Sequence, residues 1–371
     1  MLTAVTPRRP SVAGALASLL MAAAPASEAQ LALEFIGEAT LPTGQQFEGT
    51  EIGGLSGIDY DRANDLYYVL SDDRSSIDDA RFYTITIDLD DGTLDDGDVT
   101  FESLVTLLDT DGLPFEASGV DPEAIRHDPI TGSLYWTSEG DASALQAPFV
   151  REMNPDGSFV REFETPVKYA PTEDGLAGIR NNLAFESLTF SERRTKLVTA
   201  TENALAEDGP SATVDNGSPS RFLVLDVATG EAGAEFIYET DPVAAESDPP
   251  GDFTTNGLVE LLSLGGGNRF LAVERSFSVG VGNAIKLYLV SVRRADDVSD
   301  VDSVEGQEVQ VAAKTLLLDL ADLQITLDNI EGVTFGPRLP NGDRSLILVS
   351  DNNFNPDQFT QFLAFALSVG D

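Results

Sequence analysis

Acidic residues recur at matching places along the chain, and their spacing is the first indication of chemistry. Five strand-like runs each end in a carboxylate, and these residues are Asp72, Glu139, Glu202, Glu274 and Asp351. They follow one another at intervals of about 70 residues, which indicates an internal repeat. A second set stands early in the preceding run of most copies, and its members are Glu123, Glu186, Glu260 and Glu331, with Ser56 in the first copy.

Carboxylate oxygens at repeated positions predict a site for a hard cation. Like charges in one cavity raise one another's pKa unless a cation lies between them. Calcium accepts about six to eight oxygen ligands, so Ca²⁺ is the expected ion. The expected ligands are Asp72, Glu123, Glu139, Glu186, Glu202, Glu274, Glu331 and Asp351. For any one of them the alternative is a carboxylate that accepts hydrogen bonds from turn amides and faces water.

The two sets of acids lie on paired strands. Because the strands of a hairpin run antiparallel, we expect the early and the terminal acids at different positions along it, so that not all share one site.

Arginine and asparagine near these acids are candidates for binding an anion. The expected substrate-binding residues are Arg74, Arg180, Asn182 and Arg275. Arginine holds phosphate or carboxylate through two parallel hydrogen bonds. For each arginine the alternative is a salt bridge to a neighbouring acid. Nucleophilic catalysis is disfavoured, because the chain has no cysteine and its one histidine, His127, precedes an Asp-Pro turn.

The segments that must position these residues are repeated hairpins, at 54–73, 121–141, 184–203, 256–277 and 330–354. Each joins a short apolar strand, a polar turn and a second apolar strand, which is typical of a β-hairpin. Two further strand candidates follow in most copies, as at 81–89 and 99–108 in the first. Four antiparallel strands per repeat make a propeller blade, so the sequence predicts an all-β propeller of about five four-stranded blades.

The last copy lacks a fourth strand, and the N-terminal part of the chain offers one. Residues 31–41 read LALEFIGEATL. Pairing of this strand with the last blade would close the ring and remove two exposed sheet edges. A sixth blade is the alternative if a long connection hides strands, and a pair of β-sandwich domains is another.

The first 29 residues have the pattern of a signal peptide. Arg8 and Arg9 precede a short apolar run, and residues 27–29 (SEA) match a small-x-small cleavage site. The remainder, residues 30–371, is expected to be a single propeller domain that is secreted or periplasmic. No later run of about 18 apolar residues occurs, so no membrane span is expected.

The chain is strongly acidic, with 63 Asp plus Glu against 22 Lys plus Arg and a net charge of −41 at pH 7. A field this negative repels nucleic acids and anionic membranes, so neither is an expected partner. A polyphosphate would also be repelled unless divalent cations lay between. A salty habitat is another explanation of the acidic surface and is compatible with metal binding. A monomer is expected.

Short motifs in the five copies resemble one known family. They are residues 54–58 (GLSGI), 67–73 (YYVLSDD), 121–125 (DPEAI), 180–186 (RNNLAFE), 201–203 (TEN), 274–277 (ERSF) and 329–333 (NIEGV). Over about residues 34–367 the chain resembles the exported propellers with a phytase-like domain, a family named for the esterase-like activity of phytase.

The resemblance implies calcium-dependent hydrolysis of phosphoesters or esters. In distant propeller phytases, metal ions neutralise a polyphosphate and activate water. By this analogy one of Glu186, Glu202 and Glu331 is the expected catalytic base. The lysine-poor site departs from those phytases and argues against phytate as the substrate, which leaves a smaller phosphoester or ester as the partner molecule. Two alternatives stay open: a non-catalytic propeller that binds a ligand or a partner protein, and a calcium-dependent lactonase.

Overall fold

A computed structural model describes residues 31–369, which form five antiparallel four-stranded sheets and one short hairpin. The expected signal peptide lies outside the described residues. The N-terminal strands are β1 (Leu31–Pro42), β2 (Gln46–Phe47) and β3 (Thr50–Glu51). The first blade contains β4 (Leu55–Asp61), β5 (Leu66–Ser71), β6 (Arg81–Ile87) and β7 (Val99–Thr106). The second contains β8 (Pro122–His127), β9 (Leu134–Ser138), β10 (Phe149–Met153) and β11 (Phe159–Glu162).

The remaining three blades follow the same order along the chain. The third contains β12 (Phe185–Ser191), β13 (Lys196–Thr201), β14 (Pro219–Asp226) and β15 (Ala232–Glu239). The fourth contains β16 (Thr254–Ser263), β17 (Arg269–Ser278), β18 (Gly282–Ser291) and β19 (Ala313–Asp319). The fifth contains β20 (Asn329–Arg338), β21 (Arg344–Asp351), β22 (Phe359–Val369) and the N-terminal strand β1.

The sheets are arranged as a ring around their first strands. Each first strand contacts the first strand of the next blade, from β4 through β8, β12, β16 and β20 and back to β4. This ring of inner strands confirms the predicted five-bladed propeller. The alternatives of a sixth blade and of paired sandwiches are wrong for residues 31–369, which form five four-stranded sheets in one closed ring.

The ring is closed by the N-terminal strand, as predicted. Strand β1 pairs with β22 from Leu31 opposite Val369 to Pro42 opposite Phe359. The last blade therefore takes its outer strand from the start of the domain. This pairing joins the two ends of the fold through backbone hydrogen bonds, and covers an edge that would otherwise be open to pairing with other chains.

The apolar core lies between neighbouring blades. Buried side chains from the first and fifth blades meet at Ile58, Val69, Ile347 and Val349. Aromatic residues fill the junction between the first and second blades, where Phe115 and Phe149 contact Trp136 edge-to-face. Because apolar side chains occupy the faces of the sheets, the ends of the inner strands are left for polar residues.

Helical turns in the described part of the chain are short 3₁₀ segments, at Ala142–Ala144, Val167–Tyr169, Glu192–Arg194 and Leu320–Leu323. Within residues 31–369 no helix has the length and apolar character to cross a membrane.

Candidate metal centre at one mouth of the channel

The first strand of every blade carries a β-bulge, which lies near the start of the strand in four blades and in the middle of β16. In β12 the register passes from Phe185 opposite Thr201 to Ser187 opposite Ala200, so that Glu186 is the extra residue. The register shifts in the same way at Ser56, at Glu123–Ala124, at Val259 and at Glu331. A bulge bends its strand and re-aims the extra side chain. Three of these irregularities therefore carry a glutamate toward the ring axis.

The second strand of every blade places a further side chain at about the same depth along the channel as these bulges. The backbone N–H groups of Asp72, Glu139 and Glu202 donate to the carbonyls of Gly54, Asp121 and Ala184, each at the start of the first strand of its blade. In the other two blades Arg275 lies opposite Gly257, and Asp351 lies opposite Asn329. The equivalent residues of the five blades are thus Asp72, Glu139, Glu202, Arg275 and Asp351.

Glu274, which the sequence analysis included among the ligands, lies outside this group. Its carboxylate accepts hydrogen bonds from the Tyr238 hydroxyl at 2.5 Å, from Lys314 Nζ at 2.6 Å and from Asn256 Nδ2 at 3.1 Å. Side chains alternate between the two faces of a strand, so an offset of one residue turns the side chain away. The fourth blade consequently places the guanidinium of Arg275 where each of the other four blades places a carboxylate at the equivalent position.

Early and terminal acids of a hairpin lie at the same end of the channel. The expectation that they would lie at different positions is wrong, because antiparallel pairing places the start of β20 beside the end of β21, with Asn329 opposite Asp351. Glu260 is the exception among the early acids. It lies one residue past the bulge of β16 and binds Arg126, Nη2 to Oε2 at 2.6 Å, farther along the channel.

Two groups of carboxylates at this mouth have the geometry of a cation site. One group is Asp121, Glu123 and Glu139, and the other is Glu139, Glu186 and Glu202. In each group one oxygen of every member lies within 4.8 Å of the others, and all members are buried. Glu139 belongs to both groups, so the two sites are adjacent. Calcium takes oxygen ligands in proteins, and carboxylate oxygens are among them.

Two buried oxygens in this cluster, Oδ2 of Asp121 and Oε1 of Glu202, accept no hydrogen bond within the described structure, and Oδ2 of Asp121 has an ion pair with Arg74. Oε1 of Glu202 is buried and unpartnered, and its nearest cation is Arg275 Nη2 at 3.6 Å. A buried carboxylate oxygen without a donor is costly, because it has lost its hydration and gained nothing in return. The donor set therefore fits a cation held beside this oxygen by the neighbouring carboxylates, whose positive charge would offset this cost.

The acids of the cluster favour their protonated forms. Burial raises the pKa of Glu139 and of Glu202 to about 7. Burial and then the neighbouring carboxylates Glu139, Glu202 and Glu331 raise the pKa of Glu186 well above its usual range. The same causes, burial first and nearby acids second, raise the pKa of Asp72, Asp121, Glu123 and Asp351. The site is thus short of positive charge.

Two arginines supply part of that charge, and both were expected from the sequence. Arg74 donates from Nε to Asp121 Oδ1 at 2.7 Å, and its Nη2 forms an ion pair with Oδ2 at 2.5 Å. Arg275 donates from Nη2 to Glu331 Oε1 at 3.0 Å. Glu331 also accepts from Asn329 Nδ2 at 3.0 Å. Both guanidiniums therefore already have a carboxylate partner at the site.

The other two expected anion-binding residues have different positions. Asn182 lies at the rim, where its Oδ1 accepts from Arg74 Nη2 at 2.8 Å. Arg180 donates instead to the carbonyls of Ala204 at 3.2 Å and Gly209 at 2.6 Å, and so holds the loop after β13. The structure brings Arg74, Asn182 and Arg275 to the cluster and leaves Arg180 in the supporting loop.

Asp121 and Asn329 are members of the site that were not expected from the sequence. Each stands two residues before a glutamate at a bulge, in the motifs 121–123 (DPE) and 329–331 (NIE). The polar residue two positions before each glutamate could have indicated a further member of the site. The sequence does not show the bulge, which turns these two positions of the strand toward the same cavity.

Gly257 leaves the space that the Glu202 side chain occupies. A Cβ atom at Gly257 would lie 2.2 Å from Cγ of Glu202. We expect Gly257→Ala to displace this carboxylate and to weaken calcium binding by about 10-fold or more, measured by calorimetric titration of the purified protein. Gly233→Ala, whose Cβ would meet only a carbonyl oxygen at 3.3 Å, is the control. Equal calcium affinity in the two variants would contradict this role for Glu202.

A buried ion pair lies beyond the cluster along the channel. Arg126 donates to Glu260 and to the Ile58 carbonyl at 2.7 Å, and Glu260 Oε1 accepts from the Leu188 N–H at 3.2 Å. These contacts join inner strands of four blades. They separate the acidic mouth from the opposite end of the channel.

This chain is similar to known proteins at the level of a family model and of distant solved structures. No curated protein matches the chain. Among solved structures, the Dos1 propeller is 10% identical with a TM-score of 0.35, and the match covers 86% of this chain and 72% of that one. An endo-arabinase from Bacteroides thetaiotaomicron is 13% identical with a TM-score of 0.43, and the match covers 91% of this chain and 98% of that one. The phytase-like family model, described as "Esterase-like activity of phytase", matches residues 50–354, and the chain therefore belongs to this family.

Proposed function

We propose that this chain is an exported, calcium-dependent hydrolase of small phosphoesters or esters. The observation that supports it is the pair of adjacent carboxylate triads sharing Glu139, together with the unpartnered oxygen of Glu202. Membership in the phytase-like family supports the same class of chemistry. The expected signal peptide would deliver the chain to a compartment where calcium is plentiful.

The residues that would hold the ion are the members of the two triads. Asp121, Glu123, Glu139 and Glu186 offer oxygens from two neighbouring blades. When bound, calcium would polarise an oxygen of the substrate and neutralise part of its charge. The β-bulges hold Glu123 and Glu186 in place through the backbone, so the ligands are positioned before an ion arrives.

Glu202 is the best placed of the three expected bases. Its Oε1 has no donor and is free to accept a proton from an attacking water. Glu331 is less suited, because Arg275 and Asn329 already donate to its Oε1. Glu186 is hydrogen-bonded to Glu139 and is better placed as a ligand.

Arg74 and Asn182 would receive the anionic end of the substrate. The side chain of Arg74 is 31% exposed, and Asn182 is exposed beside it. A guanidinium that already binds one carboxylate can still offer its remaining N–H groups to an oxyanion. Arg275 lies deeper and would compensate charge that develops near Glu202.

The test is turnover of aryl phosphates, short-chain aryl esters and lactones by the calcium-loaded protein. We expect Glu202→Gln to lower kcat by at least about 100-fold while the melting temperature is retained. The control is Glu231→Gln, an exposed residue that makes the same chemical change away from the channel. Calcium binding without turnover on any substrate would favour the non-catalytic alternative, and turnover of lactones alone would favour the lactonase.

A further inference from the structure

The mouth of the channel opposite the acidic cluster holds a large cavity. Inner strands of all five blades run in the same direction along the axis, so their C-terminal ends meet at this mouth. The cavity has a volume of about 1110 Å³ and is lined by residues that end or follow β4, β8, β12, β16 and β20. This volume suits a small organic ligand. The buried pair of Arg126 and Glu260 lies between this cavity and the acidic cluster.

The lining of this cavity is unusually basic for so acidic a protein. Its arginines are Arg62, Arg126, Arg193, Arg194, Arg269, Arg338 and Arg344. Its acids are Asp59 and Asp65. The chain as a whole has a net charge of −41 and 22 basic residues, so about a third of them converge on one concave surface. A solvated acidic surface gives no reason for this concentration.

Several of these guanidiniums do not stabilise the fold through an ion pair. Among the side chains that the structure describes, which do not include that of Glu192, Arg62, Arg269 and Arg344 are exposed and form no ion pair at 4.0 Å or less. Both lining acids already accept hydrogen bonds. Asp59 accepts from the His127 N–H at 2.8 Å, and Asp65 accepts from the Tyr60 hydroxyl at 2.6 Å. Positive charge at this mouth therefore exceeds what its own carboxylates compensate.

The arginines are also close to one another. Partial desolvation, and then the charges of Arg338 and Arg62, lower the pKa of Arg344 from its usual value. Like charges held close together repel one another, and a bound ligand of opposite charge would offset this repulsion. The guanidinium of Arg344 stacks at 3.8 Å on the ring of Phe335, which fixes its plane and leaves its N–H edges to the cavity.

Apolar and aromatic side chains complete the cavity. Phe190, Phe335 and Tyr60 line it with Leu262 and Leu264. Arg194 stacks on Phe190 with a distance of 4.7 Å from Cζ to the ring centre. A site that combines rings with several guanidinium forks matches a ligand that has both anionic groups and a compact carbon framework.

We propose that this arginine-lined mouth binds a small multivalent oxyanion, a molecule with two or more phosphate or carboxylate groups. A single anionic group could satisfy only one or two of the guanidiniums, whereas several groups could bridge arginines of different blades. The site is separate from the acidic cluster, and it does not depend on the proposed hydrolysis.

The experiment measures binding of pyrophosphate and of citrate to the metal-free protein by calorimetry in about 0.1 M sodium chloride. Divalent ions are removed first on a chelating resin, so that neither anion can bind through calcium at the other mouth. We expect a Kd below about 1 mM for at least one of the two anions. Tighter binding of pyrophosphate would assign a phosphorylated ligand, and tighter binding of citrate a polycarboxylate.

A pair of charge-matched variants locates the site. Arg269→Gln with Arg344→Gln is expected to weaken binding by about 30-fold or more, since each removes a charge-assisted hydrogen bond. Arg293→Gln with Arg294→Gln makes the same change of net charge on exposed residues outside the cavity, and is expected to change binding by no more than about twofold. Melting temperatures of both variants confirm that each is folded.

The proposal is overturned if neither anion binds or if both double variants weaken binding equally. The first outcome would make the arginines a surface feature without a ligand. The second would mean that net charge alone governs binding. Retention of pyrophosphate binding in Glu202→Gln is expected, because that residue belongs to the other mouth.

Discussion

Glu139→Gln is expected to remove calcium binding from the channel, with a loss of at least about 100-fold in affinity. Glu139 is the one residue that both carboxylate triads share, so its replacement leaves neither group with three charged oxygens. Isothermal titration with calcium measures the effect. The matched control is Glu274→Gln, which removes the same charge from a residue outside the cluster and should bind calcium as the parent does.

The same variant separates a binding role from a structural one. Glu139 is buried, and its pKa is raised to about 7, so its ionised form opposes folding in the metal-free protein. Glu139→Gln should therefore be as stable as the parent or more stable at pH 8 without calcium. It should gain no stability when calcium is added. A variant that unfolds in both conditions would show that Glu139 mainly supports the fold.

The metal-free protein is expected to lose stability as the pH rises from about 5 to 8. Glu139 and Glu202 have folded-state pKa values of about 7, above their ordinary values. A raised pKa means that the folded state binds a proton more tightly than the unfolded state. The stabilisation is thus present at low pH and is lost as the pH passes through about 7. For Glu139 alone the change corresponds to about 3 kcal/mol.

Thermal unfolding at several pH values, with and without calcium, measures this effect. Calcium should raise the melting temperature more at pH 8 than at pH 5, because binding at low pH must first displace protons. The parent and Glu139→Gln should differ most at pH 8. A melting temperature of the metal-free protein that does not fall over this range would contradict the proposed clustering of buried carboxylates.

Much of the fold follows from local sequence patterns. The apolar runs and polar turns of residues 54–73 and 330–354 specify hairpins without reference to the rest of the chain. Their repetition predicts blades, because one hairpin cannot bury its apolar faces alone. The N-terminal strand was also predictable, since the last copy lacked a partner and residues 31–41 offered one.

The candidate site was predictable in part. Most of its acids were identified because they end the second strand of a copy or stand early in the first. Glu274 was expected in the site because it is an acid at the end of a second strand. In the structure Glu274 pairs with Leu258 of β16, so Arg275 is the residue at the position that acids occupy in the other blades. An error of one residue matters, because it reverses the direction of a side chain on a strand.

Strand patterns and repeat spacing by themselves determined that this chain forms a ring of blades with acids near the inner strands. The hairpins and the positions of these acids within them depend on contacts between residues that are close in sequence. Only the tertiary structure decided which acids meet, since the β-bulges and the register between blades set the direction of each side chain. It also revealed the arginines at the opposite mouth. These residues are scattered from Arg62 to Arg344, and no local pattern unites them until five strands end at one place.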